Sequence, residues 1–220
     1  MHPIGYIRSP FVEKFGVPRQ SGLVPGVICR LEFEPPYRHD DYVRGLADFS
    51  HLWLIWGFHC HSEAEVHPTV RPPRLGGNAR LGVFATRSPY RPNGLGLSAV
   101  RLLAVESGPS LLMAGGDMVD GTPVYDIKPY LAYADAIPEA EGGFTATTPR
   151  ELLSVRLPAA LPGGVTKAWL DVLRDVLSQD PRPAYQCDPD RVYHMVLRPF
   201  EVDFNVQGSE LTVLAIRPEP

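Results

Sequence analysis

Hydrophobic and polar positions trade places over short distances through the first half of this chain. Val27, Cys29, Leu31 and Phe33 stand at every second position, with Arg30 and Glu32 between them, the period of a half-buried strand. Residues 52–58, Leu-Trp-Leu-Ile-Trp-Gly-Phe, form a continuous apolar run and predict a strand buried on both faces. Further strand-sized runs occupy 82–86, 97–105 and 111–115, and residues 4–11 read as an edge strand passing into a polar loop. Strands this close together, without helical periods between them, predict an antiparallel barrel or sandwich.

The second half changes character. Residues 136–149 are rich in Ala, Glu, Gly and Thr and carry little hydrophobic pattern. Beyond them Thr166 is placed to cap a helix running to about Gln179, with Trp169, Leu170, Leu173, Val176 and Leu177 as one apolar stripe. Asp180-Pro-Arg-Pro ends that helix, and strands are predicted near 192–197, 202–206 and 211–216. The expected organisation is mainly β. Residues 1–137 form an antiparallel β-barrel domain, 138–150 a linker or exposed hairpin, and 151–220 a small C-terminal α+β domain.

Composition narrows the class. The chain has 220 residues, 44% of them apolar, which suits an ordinary globular fold. No apolar run reaches membrane-spanning length, and the N-terminal Met-His-Pro-Ile-Gly-Tyr lacks a signal pattern, so a soluble, cytoplasmic protein is expected. Cys29, Cys60 and Cys187 are widely spaced and form no CxxC pair, which supports neither a disulfide framework nor a cysteine zinc site. The net charge of −4 hides an asymmetry. Residues 66–105 carry Arg71, Arg74, Arg80, Arg87, Arg91 and Arg101 with no acid, so this stretch is +6 and the remainder −10. A basic patch on an acidic protein predicts a localised anionic ligand.

Four segments carry the unusual chemistry. The first is Ile4-Gly-Tyr-Ile-Arg-Ser-Pro-Phe11 with Glu13-Lys-Phe-Gly-Val-Pro-Arg-Gln20. The second is Gly45-Leu-Ala-Asp-Phe-Ser-His-Leu-Trp-Leu-Ile-Trp-Gly-Phe-His-Cys-His61. The third joins Val70-Arg-Pro-Pro-Arg-Leu-Gly-Gly-Asn-Ala-Arg80 to Gly82-Val-Phe-Ala-Thr-Arg-Ser-Pro-Tyr-Arg-Pro-Asn93. The fourth is Asp117-Met-Val-Asp-Gly-Thr-Pro-Val-Tyr-Asp-Ile-Lys-Pro-Tyr130. Taken in order, they resemble the family that methylates N6 of threonylcarbamoyladenosine in tRNA, often called TrmO. The resemblance spans nearly all of 4–135 and returns at 180–185. One departure stands out: the family usually carries Pro-Asn-Pro before an apolar residue and Gly, whereas this chain has Pro92-Asn93-Gly94-Leu95-Gly96, which predicts a looser loop.

The resemblance implies a β-barrel methyltransferase that uses S-adenosylmethionine. The residues agree in one respect: no GxGxxG follows a strand with an acid some twenty positions on, and Gly94-Leu-Gly96 reads as a turn. By motif position, the resemblance puts Pro18, Arg19, Gln20, His59, Cys60, Arg87, Leu97, Val124, Tyr125, Asp126 and Ile127 around the cofactor. Arg87 could pair with its methionine carboxylate or with a structural acid, and Leu97 could pack on its adenine or in the core. Arg91, Asn93, Lys128, Tyr130 and Tyr185 are candidates for substrate binding, Arg91 and Lys128 for the threonyl carboxylate. The attacking nitrogen must lose a proton, which Asp126, Asp120 or solvent could accept. The family also implies a homodimer acting on threonine tRNA.

Two other classes compete. His59 and His61, with His51 and His67 nearby, could form a metal-dependent hydrolase site, but no HExxH spacing occurs, and no metal is expected. Cys60 as a nucleophile beside His59 is disfavoured because neighbouring strand residues point to opposite faces. A non-catalytic module that binds modified tRNA would also fit the basic segment. Cofactor binding separates it from an enzyme.

Overall fold

The computed structural model describes residues 1–60, 66–72, 75, 79–147, 151–183, 186 and 188–220. Twelve strands lie among them: β1 Gly5–Arg8, β2 Ile28–Phe33, β3 His51–Gly57, β4 Thr69–Val70, β5 Leu81–Gly82, β6 Leu95–Glu106, β7 Ser110–Ala114, β8 Pro123–Pro129, β9 Ser154–Arg156, β10 Tyr193–Leu197, β11 Phe200–Gln207 and β12 Glu210–Pro218. Six of them close an antiparallel barrel in the order β1-β2-β7-β6-β3-β8. β4 and β5 make a two-stranded ribbon, and the last four strands form a separate sheet ordered β10-β11-β12-β9. The expected fold class, a β-barrel followed by a sheet-and-helix unit, is the one observed.

Barrel closure explains the short alternating runs, because every second side chain can turn into the lumen and no edge remains. Ile7, Leu31, Leu52, Leu54, Leu111 and Val124 are each fully buried there. The run 52–58 is not buried on both faces, however. Leu52, Leu54 and Trp56 point inward, while His51 is exposed and Trp53 and Ile55 are half-buried on the outer wall. Trp53 tolerates that position because its indole N–H donates to Asp135 Oδ2 at 3.0 Å and its ring packs on Tyr130, centroids 5.4 Å apart.

A second difference falls at 82–86. Pairing stops after Gly82, and residues Val83–Ala85 form a tight helical turn closed by Thr86, whose N–H and hydroxyl both donate to Val83 O. Burying Val83 while leaving Phe84 78% exposed makes this segment a corner instead of a strand. Residues 138–147 are almost wholly exposed and hold one helical turn, Phe144–Thr147.

The predicted C-terminal helix spans Lys167–Ser178, with the Thr166 hydroxyl accepting from Trp169 N–H at 3.2 Å. Asp180, at a left-handed φ of 49°, ends the turn after it. Leu173, Val176 and Leu177 seal the helix against β10, β11 and β12. This second core also takes in Phe11, Val24 and Val27, which lie between β1 and β2. Burying a phenylalanine such as Phe11 contributes about 2–3 kcal/mol, so the barrel's first connection is held by the C-terminal core.

Candidate active site

One mouth of the barrel collects most of the candidate residues. Here β3 ends between the start of β6 and the start of β8, with Gly57 opposite Leu95 and Trp56 opposite both Gly96 and Val124. Gly96 is required at its position: the Trp56 ring fills the space that a side chain there would need. Register slips between Ile55 and Trp56, so Val124 pairs with Trp56 and Asp126 with Ile55, leaving Tyr125 as the extra residue of a β-bulge. The bulge lets Tyr125 lean over Gly57 while Val124 stays inward and fully buried. Leu97, Ile55 and Asp126 then form a row across the outer wall. Leu97 is 56% exposed, so it is not a core residue. Along this stretch Val124 faces the lumen and Ile127 packs against the barrel core, so Tyr125 and Asp126 are the two that offer side chains outward.

Two loops close over this mouth. Arg87 donates to Gln20 Oε1, joining the loop before β6 to the loop after β1. Among the described residues no carboxylate comes within ion-pair distance of Arg87, and the buried Asp117 acts on it only at longer range. Pro18 is buried, and Arg19 reaches back to the C-terminal unit, donating to Asp180 O and Arg182 O at 3.1 Å each. The Asp180-Pro-Arg-Pro segment is thereby fastened to this chain's own Pro18–Gln20 loop. Arg91 is half-buried, and its guanidinium donates to Thr86 O at 3.2 Å and Ser88 O at 3.3 Å, bracing the loop that carries Arg87.

The Pro92-Asn93-Gly94 turn is well defined. Gly94 N–H donates to Arg91 O at 3.1 Å, Gly94 O accepts from Phe58 N–H at 2.8 Å, and Gly94 sits at φ 56°. Proline has neither the N–H nor access to that φ. Asn93 is exposed at the tip.

His59 and Cys60 meet after all. Pairing ends at Gly57, so strand alternation no longer separates them, and Cys60 Sγ lies 3.2 Å from His59 Nε2. Thr122 spends its hydroxyl proton on Val119 O at 2.7 Å, so His59 Nδ1, 3.4 Å from Thr122 Oγ1, must be the donor there. In the neutral ring that leaves Nε2 to accept the thiol proton. Lys14 Nζ adds a 3.0 Å bond to Cys60 O. His61 lies outside the described residues, among which no three His, Cys, Asp or Glu side chains gather in a metal-binding group.

The remaining candidates stand apart from the mouth or from each other. Asp126 accepts from Ile127 N–H and pairs with Lys128 at 3.0 Å, with about half its side chain exposed. Lys128 and Tyr130 lie two and four residues farther along β8 and beyond it, roughly 7 and 13 Å at about 3.3 Å per residue. Asp120 instead accepts from Ser9 N–H at 3.0 Å and stands between Arg198 at 3.7 Å and Arg8 at 4.0 Å. Tyr185 and Arg74 lie outside the described residues. Of the basic segment, Arg71, Arg80, Arg87 and Arg101 are exposed.

Sequence reasoning missed Asp117. The Ser98 hydroxyl donates to its Oδ1 at 2.6 Å, and Trp56 Nε1 donates to Ser98 Oγ at 2.9 Å. Burial pushes the carboxyl above the ordinary carboxylate range, opposed by Ser98, by the amides of Asp117 and Ser21, and by Arg87. The available signal was an acid directly after the apolar run Leu-Leu-Met-Ala-Gly-Gly at 111–116. The neighbouring Cys29 thiol is pushed up to about 12, first by burial and then by the Asp117 charge.

A closed antiparallel barrel with a polar, loop-lined mouth, joined to a sheet-and-helix unit, defines a class distinct from the doubly wound dinucleotide folds. Residues 6–136 match the model for the tRNA-methyltransferase O N-terminal domain, and residues 162–219 that for the TrmO C-terminal domain. The chain belongs to the TrmO family. It is 44% identical over 230 residues to the tRNA (adenine(37)-N6)-methyltransferase of Escherichia coli K12, covering 98% of this chain and 96% of that protein. It is 44% identical over 216 residues to a Pseudomonas aeruginosa protein assigned as an S-adenosylmethionine-dependent methyltransferase, covering 95% and 93%. A crystal structure of TrmO from P. aeruginosa superposes with a TM-score of 0.81 at 36% identity, covering 99% of this chain and 95% of that one.

Proposed function

We propose that this protein transfers the methyl group of S-adenosylmethionine to N6 of threonylcarbamoyladenosine beside the anticodon of tRNA, threonine tRNA being the expected substrate. The observation that carries this reading is the convergence at one barrel mouth of Arg87, Gln20, Leu97 and the bulge at Tyr125, positions the family resemblance assigns to the cofactor. The mouth fits such a ligand. Arg87 offers a cation with no direct ion pair for the methionine carboxylate, Leu97 and Tyr125 offer apolar surface for the adenine, and Pro18–Gln20 offer backbone groups. His59 and Cys60 follow closely on β3, where it reaches this mouth. Residues 1–137 act as the cofactor domain, 138–150 as the linker and 151–220 as the C-terminal domain.

S-adenosylmethionine supplies a methyl group on a positively charged sulfur, so the reaction depends mainly on alignment and polar surroundings. The chain's part is to hold the acceptor nitrogen in line and take its proton. Asp126 is better placed for that than Asp120, because it lies on the outer wall beside Leu97 and Ile55, half-exposed though paired with Lys128, while Asp120 ties the barrel to Arg198. Arg91, Asn93, Lys128, Tyr130 and Tyr185 remain the residues proposed to meet the RNA. The reading includes a homodimer in the cytoplasm and requires no metal. Among the described residues no helix is long and apolar enough to cross a membrane.

The test is mass spectrometry of nucleosides from threonine tRNA after incubation with protein and cofactor. Threonylcarbamoyladenosine should gain one methyl while plain adenosine does not. Binding of the tRNA with neither cofactor binding nor methylation of any nucleoside would favour a non-catalytic tRNA-binding module and overturn the enzyme reading.

A further inference from the structure

We propose that Asp117 is a positioning residue, whose carboxylate fastens the Pro18–Ser21 loop and the Arg87 loop onto the barrel wall and so shapes the cofactor end of the mouth. The inference rests on the cofactor reading above for its functional meaning, but its structural basis is separate.

Groups from three segments act on this one side chain. From the barrel, Trp56 Nε1 donates to Ser98 Oγ at 2.9 Å and Ser98 donates to Asp117 Oδ1 at 2.6 Å. Ser98 is 1% exposed and both of its bonds run in one direction, so the carboxylate is the terminal acceptor of a chain that starts in the lumen. From the loop, the Ser21 N–H faces the Asp117 carboxyl and favours its charged form, and one residue on, Gly22 N–H donates to Gly115 O at 2.8 Å. The backbone directly after Gln20 is thus held at the 115–117 corner. From above, Arg87 is bonded to Gln20 and attracted by the Asp117 charge. Losing that charge loosens both loops at once. A buried carboxylate left without these donors would be costly, which makes the arrangement all-or-none.

The titratable and charged groups facing Asp117 are Cys29 on β2 and Arg87 on its loop. Cys29, pushed up to about 12, stays a neutral thiol, so on acidification from neutrality the raised Asp117 carboxyl is the group that changes. Its raised carboxyl protonates earlier than an ordinary one as the pH falls. The hold on Ser21 N–H then weakens and the Arg87 attraction disappears.

Two measurements on the full chain test the proposal. Amide hydrogen exchange without cofactor reads the anchor: Asp117→Asn should speed exchange at Ser21 and Gly22 by about tenfold, the loss expected for one bond to a charged acceptor. Calorimetric titration with S-adenosylhomocysteine over a falling pH series reads its consequence. The wild type should lose affinity on acidification, and Asp117→Asn should bind about tenfold more weakly without that pH-dependent loss. Ser98→Ala keeps the charge but removes a bond that favours it. It should therefore move the acid limb to higher pH, and it carries the test if Asp117→Asn does not fold. Unchanged exchange at Ser21 and Gly22, or an unchanged acid limb in both variants, overturns the proposal. A wild type that binds no cofactor defeats the functional reading instead, and leaves the exchange result to stand alone.

Discussion

Asp120 of the barrel and Arg198 of the C-terminal sheet stand 3.7 Å apart, and the backbone repeats the link where Arg198 N–H donates to Pro10 O at 3.0 Å. The carboxylate also accepts from Ser9 N–H at 3.0 Å and faces Arg8 at 4.0 Å, so it acts as a clamp between the two units. Asp120→Asn keeps an acceptor for Ser9 and loses both ion pairs. We expect a stability loss of about 0.5–1 kcal/mol by denaturant unfolding, as for partly exposed pairs, with methylation within about twofold of wild type. Abolished methylation in a folded variant would return Asp120 to the role of base.

Arg87 and Arg91 should separate by assay. Arg87→Ala removes the guanidinium and its bond to Gln20. Cofactor affinity should fall on the order of tenfold to thirtyfold, the loss of one charge-assisted pair, with the melting temperature unchanged. Arg91 braces Thr86 O and Ser88 O. Arg91→Ala should therefore weaken cofactor binding modestly through the Arg87 loop, and raise the apparent KM for tRNA more if its remaining donors meet RNA. Salt titration of tRNA binding shows whether that contact is to phosphate.

Gly94 offers a direct test of the loop at which this chain departs from its family. At φ 56°, Gly94→Ala should cost about 1 kcal/mol, near 2–4 °C in melting temperature for a chain of this size. Gly94→Pro should cost more, since it also removes the 3.1 Å bond to Arg91 O. Equal stability of the proline variant would mean the turn adopts a second, proline-compatible path.

The two described cysteines should differ sharply toward alkylation. Cys60 is exposed beside His59, whereas Cys29 is buried and its thiol is pushed up to about 12. Brief iodoacetamide treatment of the folded protein at mildly alkaline pH should label Cys60 and leave Cys29 intact, read by peptide mass spectrometry. Labelling of Cys29 without denaturant would contradict its packing.

Legibility followed the reach of local pattern. Thr166 and the stripe through Leu177 could be read because cap and period lie within one helix. The strand around Leu31 could be read because only one of its faces meets the lumen. The outer face of β3 could not: Trp53 is apolar by composition but rests on Tyr130 and Asp135, about eighty positions away. The same holds for the site. Motif order pointed to Gln20 and Arg87 separately, yet their direct bond, the bulge at Tyr125 and the meeting of His59 with Cys60 depend on where strands stop pairing. Asp117 escaped notice because Ser98, which donates to it, Trp56, which donates to Ser98, and Ser21, which faces it, come from three other segments.

The placement of Phe11, Val24 and Val27 in the C-terminal core has a consequence in time. These residues flank the Pro18–Gln20 loop, and their packing partners, such as Leu177 and Phe204, emerge from the ribosome some 150 positions later. Local hairpins of the barrel can form while synthesis continues, but contacts of that sequence separation close last. The nascent barrel therefore passes through a stage in which its wall exists and its mouth does not. The loop carrying Arg19 and Gln20 is therefore the part of the mouth whose packing waits longest for its partners.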